Sequence, residues 1–213
     1  MPDWASNLLV PGQEQIKSEI QEIVGEIEKL QSEHSSRVAK NDDLVRWKWL
    51  LYETGKHRLE PVVRDALVLL GFVVETQNDK DSDGLVKSEF GSALLEIEGA
   101  DETVKIGKIS QLIRNIGNYI SKNEEPVGGI LLDNPFRGEP LENRPPKNNQ
   151  KQLFSKELIE TAVMQSITVI LSTDLYKIVC QILENKLTNE DKKLLRQRIL
   201  EGKGLVTLSE YIQ

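Results

Sequence analysis

From Gln13 onward, apolar residues fall at Ile16, Ile20, Ile23, Ile27 and Leu30, with Glu and Lys at most positions between. The spacing alternates four and three, the seam of a heptad repeat. Pro11-Gly12 breaks the chain just before it. The seam weakens at His34 and Arg37, and Gly25 lowers helicity without stopping the pattern. Residues 13–40 are therefore expected to form a protruding helix that pairs with another helix, as a homodimer or in a hetero-complex. His34, at a seam position, reads as a packing residue.

Beyond residue 40 the period changes repeatedly. Asn41-Asp42-Asp43 can cap a new helix, "LVRWKWLLYETGK", with Trp47, Leu50 and Leu51 on one face and Gly55 as its stop. In "RLEPVVRDALVLLG", Leu59, Val62, Val63, Ala66, Leu67 and Leu70 keep helical spacing, and "FVVET" then reads as a strand. "LVKSEFG" and "SALLEIEG" read as a hairpin joined near Gly91-Ser92. A helix from Ile106 to Ser121 follows, then "VGGILLDNP", a strand apolar enough to be buried on both faces. The irregular segment 136–152 is proline-rich. It is followed by a helix capped at Ser155, the strand "ITVILST", the helix "DLYKIVCQILENKL", and a tail with a capped helix, a Gly turn and a last strand. The order predicts an α/β fold with a mixed central sheet flanked by helices, preceded by the coiled-coil helix. The expected segments are 1–40 (N-terminal segment and helix), 41–187 (α/β domain) and 188–213 (C-terminal extension). The start at "PDWASN" and the end soon after a fresh helix and strand would suit a piece of a longer protein.

Composition narrows the chemistry. Of 213 residues, 29% are charged, and the net charge is −7. That excess opposes non-specific coating of nucleic acid, which needs a local Lys/Arg surplus, but not a nuclease with a local patch. No apolar run approaches the ~20 residues of a membrane span, and no secretory leader is visible. A soluble, cytoplasmic protein is expected. The single cysteine, Cys180, rules out an internal disulfide and suits a reducing compartment. With only His34 and His57 beside it, a zinc site of soft ligands is not expected.

The candidate chemistry lies in "ALLEIEGADETVKIGKISQL". Glu96 and Glu98 share one face of a strand. Two acids on a buried face are costly unless neutralised. A hard divalent cation would do that with oxygen ligands and retained waters. Asp83 in "DSDGLV" starts the preceding strand, so a hairpin would bring it near Glu96, with Asp81 as a substitute. The competing reading is a solvent edge, with Glu96 and Glu98 pointing outward and Leu95 and Ile97 inward. Spacing alone favours that edge. Asp79 to Gly84 has the look of a calcium loop, but the closing acid of an EF-hand is missing. Arg137 and Arg144, beyond "LLDNP", could contact phosphate or simply belong to a turn, and "KKLLRQR" is a basic helix that reads as a solvated face.

An Asp opening the second strand, followed by an acid-x-acid on the third, resembles the PD-(D/E)xK nuclease superfamily. The resemblance covers about residues 44–185. Glu60 in "RLEPVVRDALVLLG" matches the acidic helix that often precedes the first strand. Gln111-Leu112 matches a Gln-Leu pair that opens the following helix. The rear strand-helix-strand-helix is similar to restriction endonuclease-like domains of the Mrr type. The resemblance implies hydrolysis of phosphodiester bonds, in DNA more than in RNA, and points to a restriction or defence system. Asp83 and Glu96 would hold Mg²⁺ or Mn²⁺, Glu98 would hold or deprotonate water, Gln111 would position phosphate or water, and Glu60 would reach the metal through water. The pattern departs at Glu98, where the superfamily usually has Lys. Lys105 or Lys108 could reach back to replace it, or the fold could serve protein assembly without catalysis.

Overall fold

The computed structural model describes residues 8, 10–76, 82–145 and 153–208. The chain divides into two compact units, Met1–Arg46 and Trp47–Gln213. Among the described residues no helix is long and apolar enough to cross a membrane.

The first unit is dominated by one helix, α1 (Gln13–Val45), entered through Gly12 at φ 86°. It runs through Asn41-Asp42-Asp43, where a new helix was expected to begin. Extending a formed helix by one residue is easier than nucleating another, so the local capping preference of these side chains loses. None of its residues is buried.

The second unit begins with three short turns in place of the helix expected from Leu44 to Gly55. They are a 3₁₀ turn (Arg46–Lys48), α2 (Trp49–Tyr52) and a π turn (Gly55–Leu59). Helix α3 (Glu60–Leu69) follows, with Pro61 in its first turn, where the missing N–H costs nothing. Strands β1 (Val73–Glu75), β2 (Gly84–Ser88) and β3 (Gly91–Gly99) form an antiparallel meander. Then come α4 (Gly107–Asn123), β4 (Gly128–Asn134), α5 (Lys156–Met164), β5 (Ile167–Leu171), α6 (Ser172–Leu183), α7 (Asn189–Glu201) and β6 (Gly204–Leu205). The sheet has six strands in the order β1-β2-β3-β4-β5-β6, and β3 to β6 are parallel. The protein is thus an α/β fold with a mixed sheet and a long N-terminal helix.

Alternation along the strands sends side chains to two cores. Leu95 and Ile97 of β3, Ile130 and Leu132 of β4 and Ile170 of β5 pack with α3, α6 and α7. Leu94, Leu131 and Val169 pack on the other face with Ile109 and Leu112 of α4 and Leu158 of α5. Helix α7 is closed by a capping box between Thr188 and Asp191. Its Leu195 and Ile199, with Val206 and Leu208, sit in the first of these cores. The segment expected as a C-terminal extension therefore supplies a core helix and the last strand.

Candidate functional site

The sheet changes from antiparallel to parallel at β3. The start of β2 and the ends of β3 and β4 consequently share one edge, the kind of place where α/β sheets gather function. Asp83 precedes β2, and its N–H donates to Leu95 O at 2.9 Å. Its side-chain Oδ2 accepts from the Ile97 N–H at 2.6 Å. This places the Asp83 carboxylate beside β3 at the level of Glu96, as the hairpin predicts. Asp81 lies outside the described residues.

Glu96 and Glu98 are on the face that carries Leu94, toward α4. Glu96 is 3% exposed, and its Oε2 has no hydrogen-bond partner among the described residues. It does not sit on the solvent edge that spacing alone favoured. Lys108, in the first turn of α4, reaches back over the strand. Its Nζ stands 2.5 Å from Glu98 Oε2 and 3.7 Å from Glu96 Oε1. Lys105 instead pairs with Glu102 at 2.9 Å on the surface. Of the two lysines expected to compensate for Glu98, Lys108 is the one at the acids.

The register adds a residue that the sequence did not single out as an acid of this site. Asp133 on β4 pairs with Glu98 on β3, so the two side chains project from neighbouring positions on the same face. Asp133 is fully buried, and neither carboxylate oxygen makes a well-formed hydrogen bond.

Burial and crowding show in the protonation of these acids. Burial, reinforced by the charges of Asp83 and Glu98, pushes Glu96 up from 4.5 to about 7, against the opposing effect of Lys108. Burial also pushes Asp83 up from 3.8 to about 6; the Ile97 N–H, Lys108 and Arg64 oppose the shift, while Glu60 adds to it. Burial and then the Glu98 charge hold Asp133 well above the ordinary carboxyl range, only partly offset by the Asn134 N–H and Lys108. For Lys108 burial disfavours the charge, but the hydrogen bond to Glu98 and the nearby acids outweigh it and raise its pKa.

Glu60, at the start of α3, is near enough to Asp83 for its charge to raise that carboxyl. Arg64 links them, donating to Glu60 Oε2 at 3.3 Å and to Asp83 O at 2.7 Å. Gln111 lines an open cleft of about 340 Å³ with Glu98, Lys105 and Lys108. Asp83, Glu96, Glu98 and Glu60 therefore belong to one electrostatic network, with Gln111 and Lys105 along its cleft. The two arginines beyond β4 are structural. Arg144 donates to Leu51 O (2.6 Å), Glu139 O (2.9 Å), Asn134 Oδ1 (2.9 Å) and Arg137 O (3.0 Å). Arg137 pairs with Asp101 at 3.0 Å.

Among the described residues no group of three or more His, Cys, Asp or Glu side chains is arranged to hold a metal ion. The pair Asp83 and Glu96 still suits Mg²⁺, which takes one or two carboxylates and keeps several waters. The orphaned Glu96 Oε2 is the kind of buried oxygen that a cation would satisfy. No protein family, curated protein or solved structure matches the chain.

Proposed function

We propose that the chain is a metal-dependent nuclease-like protein of the PD-(D/E)xK superfamily, with a restriction endonuclease-like fold and DNA ahead of RNA as substrate. The observation that carries this reading is a charge imbalance. Asp83, Glu96, Glu98 and Asp133 crowd one edge of the sheet, opposed chiefly by Lys108, because Arg64 is already matched by Glu60. Mg²⁺ or Mn²⁺ held by Asp83 and Glu96 would polarise a phosphate and lower the pKa of a bound water.

The chain's own groups account for the rest. Glu98 anchors the Lys108 ammonium at 2.5 Å, on the side toward Glu96. There the ammonium supplies the positive charge that the superfamily's strand lysine would supply, and it can stabilise negative charge developing on a phosphate. Gln111 can donate its amide to a phosphate oxygen or a water in the cleft. Glu60 holds Arg64 against the backbone of Asp83 and so positions that carboxylate.

The test is cleavage of single- and double-stranded DNA and RNA with Mg²⁺ or Mn²⁺. Metal-dependent cleavage by the wild type, lost in Glu96→Ala and Lys108→Met but kept in Lys105→Ala, is the expected result. No cleavage of any substrate, with no heat of metal binding by calorimetry, refutes the enzyme. The second reading is a catalytically degenerate module for protein assembly through its helical arm. The ammonium of Lys108 favours it, since it already neutralises part of the acidic edge without a metal.

A further inference from the structure

We propose that α1 pairs with α1 of a second copy of this chain as a parallel, in-register, two-stranded coiled coil. The inference does not rest on the acidic site. Ile16, Ile20, Ile23, Ile27 and Leu30 are between 48% and 63% exposed along a helix with no buried residue. In heptad terms Ile20 and Ile27 are a positions, and Ile16, Ile23 and Leu30 are d positions. Ile27, Leu30, Gln31, His34 and Ser35 line a depression on the helix surface. The first four are an a, a d, an e and the next a, the set that receives one d side chain from a facing helix. In a parallel pair that side chain is Leu30 of the second copy.

Two features choose the direction. The g positions are Glu19, Glu26, Glu33 and Lys40, whereas the e positions are Lys17, Val24, Gln31, Val38 and Val45. In the antiparallel register that keeps the apolar layers together, Ile20 on Leu30 and Ile23 on Ile27, g faces g, so Glu19 opposes Glu33 and Glu26 opposes its own copy; the full-length antiparallel register sets Glu26 against Glu33 and relieves only Glu19, against Lys40. In the parallel pairing each g faces the e residue five positions on in the partner. Glu19 then meets Val24, Glu26 meets Gln31 and Glu33 meets Val38, with no like charges opposed. The second feature is the distribution of polar seam residues. Gln13 precedes the apolar layers, and His34, Arg37 and Asn41 follow them. Parallel pairing sets apolar layers on apolar layers and polar on polar, whereas a full-length antiparallel pair would set the polar residues against the isoleucines. Arg37 reaches solvent beside Glu33, with its side chain 83% exposed. Isoleucine at both a and d also suits larger bundles, but an Asn at a, here Asn41, selects two strands.

Sedimentation equilibrium of the full chain should give the mass of two copies, and Ile23→Asp the mass of one. In a Cys180→Ala background, Leu30→Cys should form a disulfide-linked dimer in a glutathione buffer. Mixed and refolded with Ile20→Cys chains, it should give no disulfide between positions 20 and 30, which an antiparallel pair with its apolar layers together would form. Val24→Lys with Val38→Lys creates four interchain Glu–Lys pairs by symmetry and should tighten dimerisation about tenfold at low salt. A monomeric wild type, a trimer, a 20–30 disulfide, or dimerisation unchanged or weakened by the two lysines would each overturn the proposal.

Discussion

Glu96→Gln tests the electrostatic account of the acidic edge. The wild-type side chain holds its proton up to about pH 7 in the folded protein, against 4.5 ordinarily. Between those values the folded state binds more protons than the unfolded state, so stability falls as pH rises. The contribution is full below about pH 4.5 and lost above about pH 7. At about 1.4 kcal/mol per pH unit the loss has an upper bound of about 3 kcal/mol, and solvent in the adjoining cleft reduces it to about 2 kcal/mol. Glutamine has the same shape and no charge to desolvate. Any packing cost of the amide is independent of pH and cancels when two pH values are compared. Urea unfolding at pH 5 and pH 8 should therefore show the variant gaining about 2 kcal/mol on the wild type between the two. Parallel pH profiles for the two proteins would refute the burial of Glu96 as a strained acid.

Lys108→Met leaves Glu98, Glu96 and Asp83 without their ammonium. It should cost about 2–4 kcal/mol at pH 8 and less at pH 5, where protonation relieves the acids, as measured by the same unfolding series. Arg144→Lys should lower stability by about 2 kcal/mol, because one ammonium cannot reach four oxygens presented to a planar fork; thermal denaturation reads it. Thr188→Ala removes half of the capping box on α7 and should cost about 1 kcal/mol in the same assay, equally at pH 5 and pH 8, where Asp191, whose pKa the Thr188 hydroxyl lowers, stays ionised folded and unfolded.

Much of this architecture is legible in the sequence because it is periodic. The heptad seam of α1, the paired strands around Asp83 and Glu96, and the apolar runs of β4 and β5 each repeat a pattern over several residues. Where the chain decides by long-range pairing, the pattern is silent. Asp133 ends the apolar strand "VGGILLDNP", and nothing in that run marks it as an acid of the site. Only its pairing with Glu98 across two parallel strands makes it a buried acid of the site. Lys105 and Lys108 are three residues apart, and choosing between them depends on where α4 begins. The helix starts at Gly107, which puts Lys108 in its first turn over β3 and leaves Lys105 in the loop, on Glu102. The grip of Arg144 on four oxygens comes from an irregular proline-rich segment that has no period to read.

The position of Lys108 changes what Glu98 means. On the strand, a lysine at position 98 would share a face with Glu96 and project into the same cleft. Here the strand supplies a second acid, and the cation comes from the helix that follows. The acid holds the ammonium at 2.5 Å, and the ammonium in turn allows a second carboxylate to exist two residues from Glu96. The two residues offset each other: the Glu98 charge adds to the push that raises Glu96, Lys108 opposes it, and the hydrogen bond to Glu98 outweighs the burial that disfavours the ammonium. On the nuclease reading proposed above, the positive charge at the cleft thus comes from the helix that follows β3 and not from the strand itself.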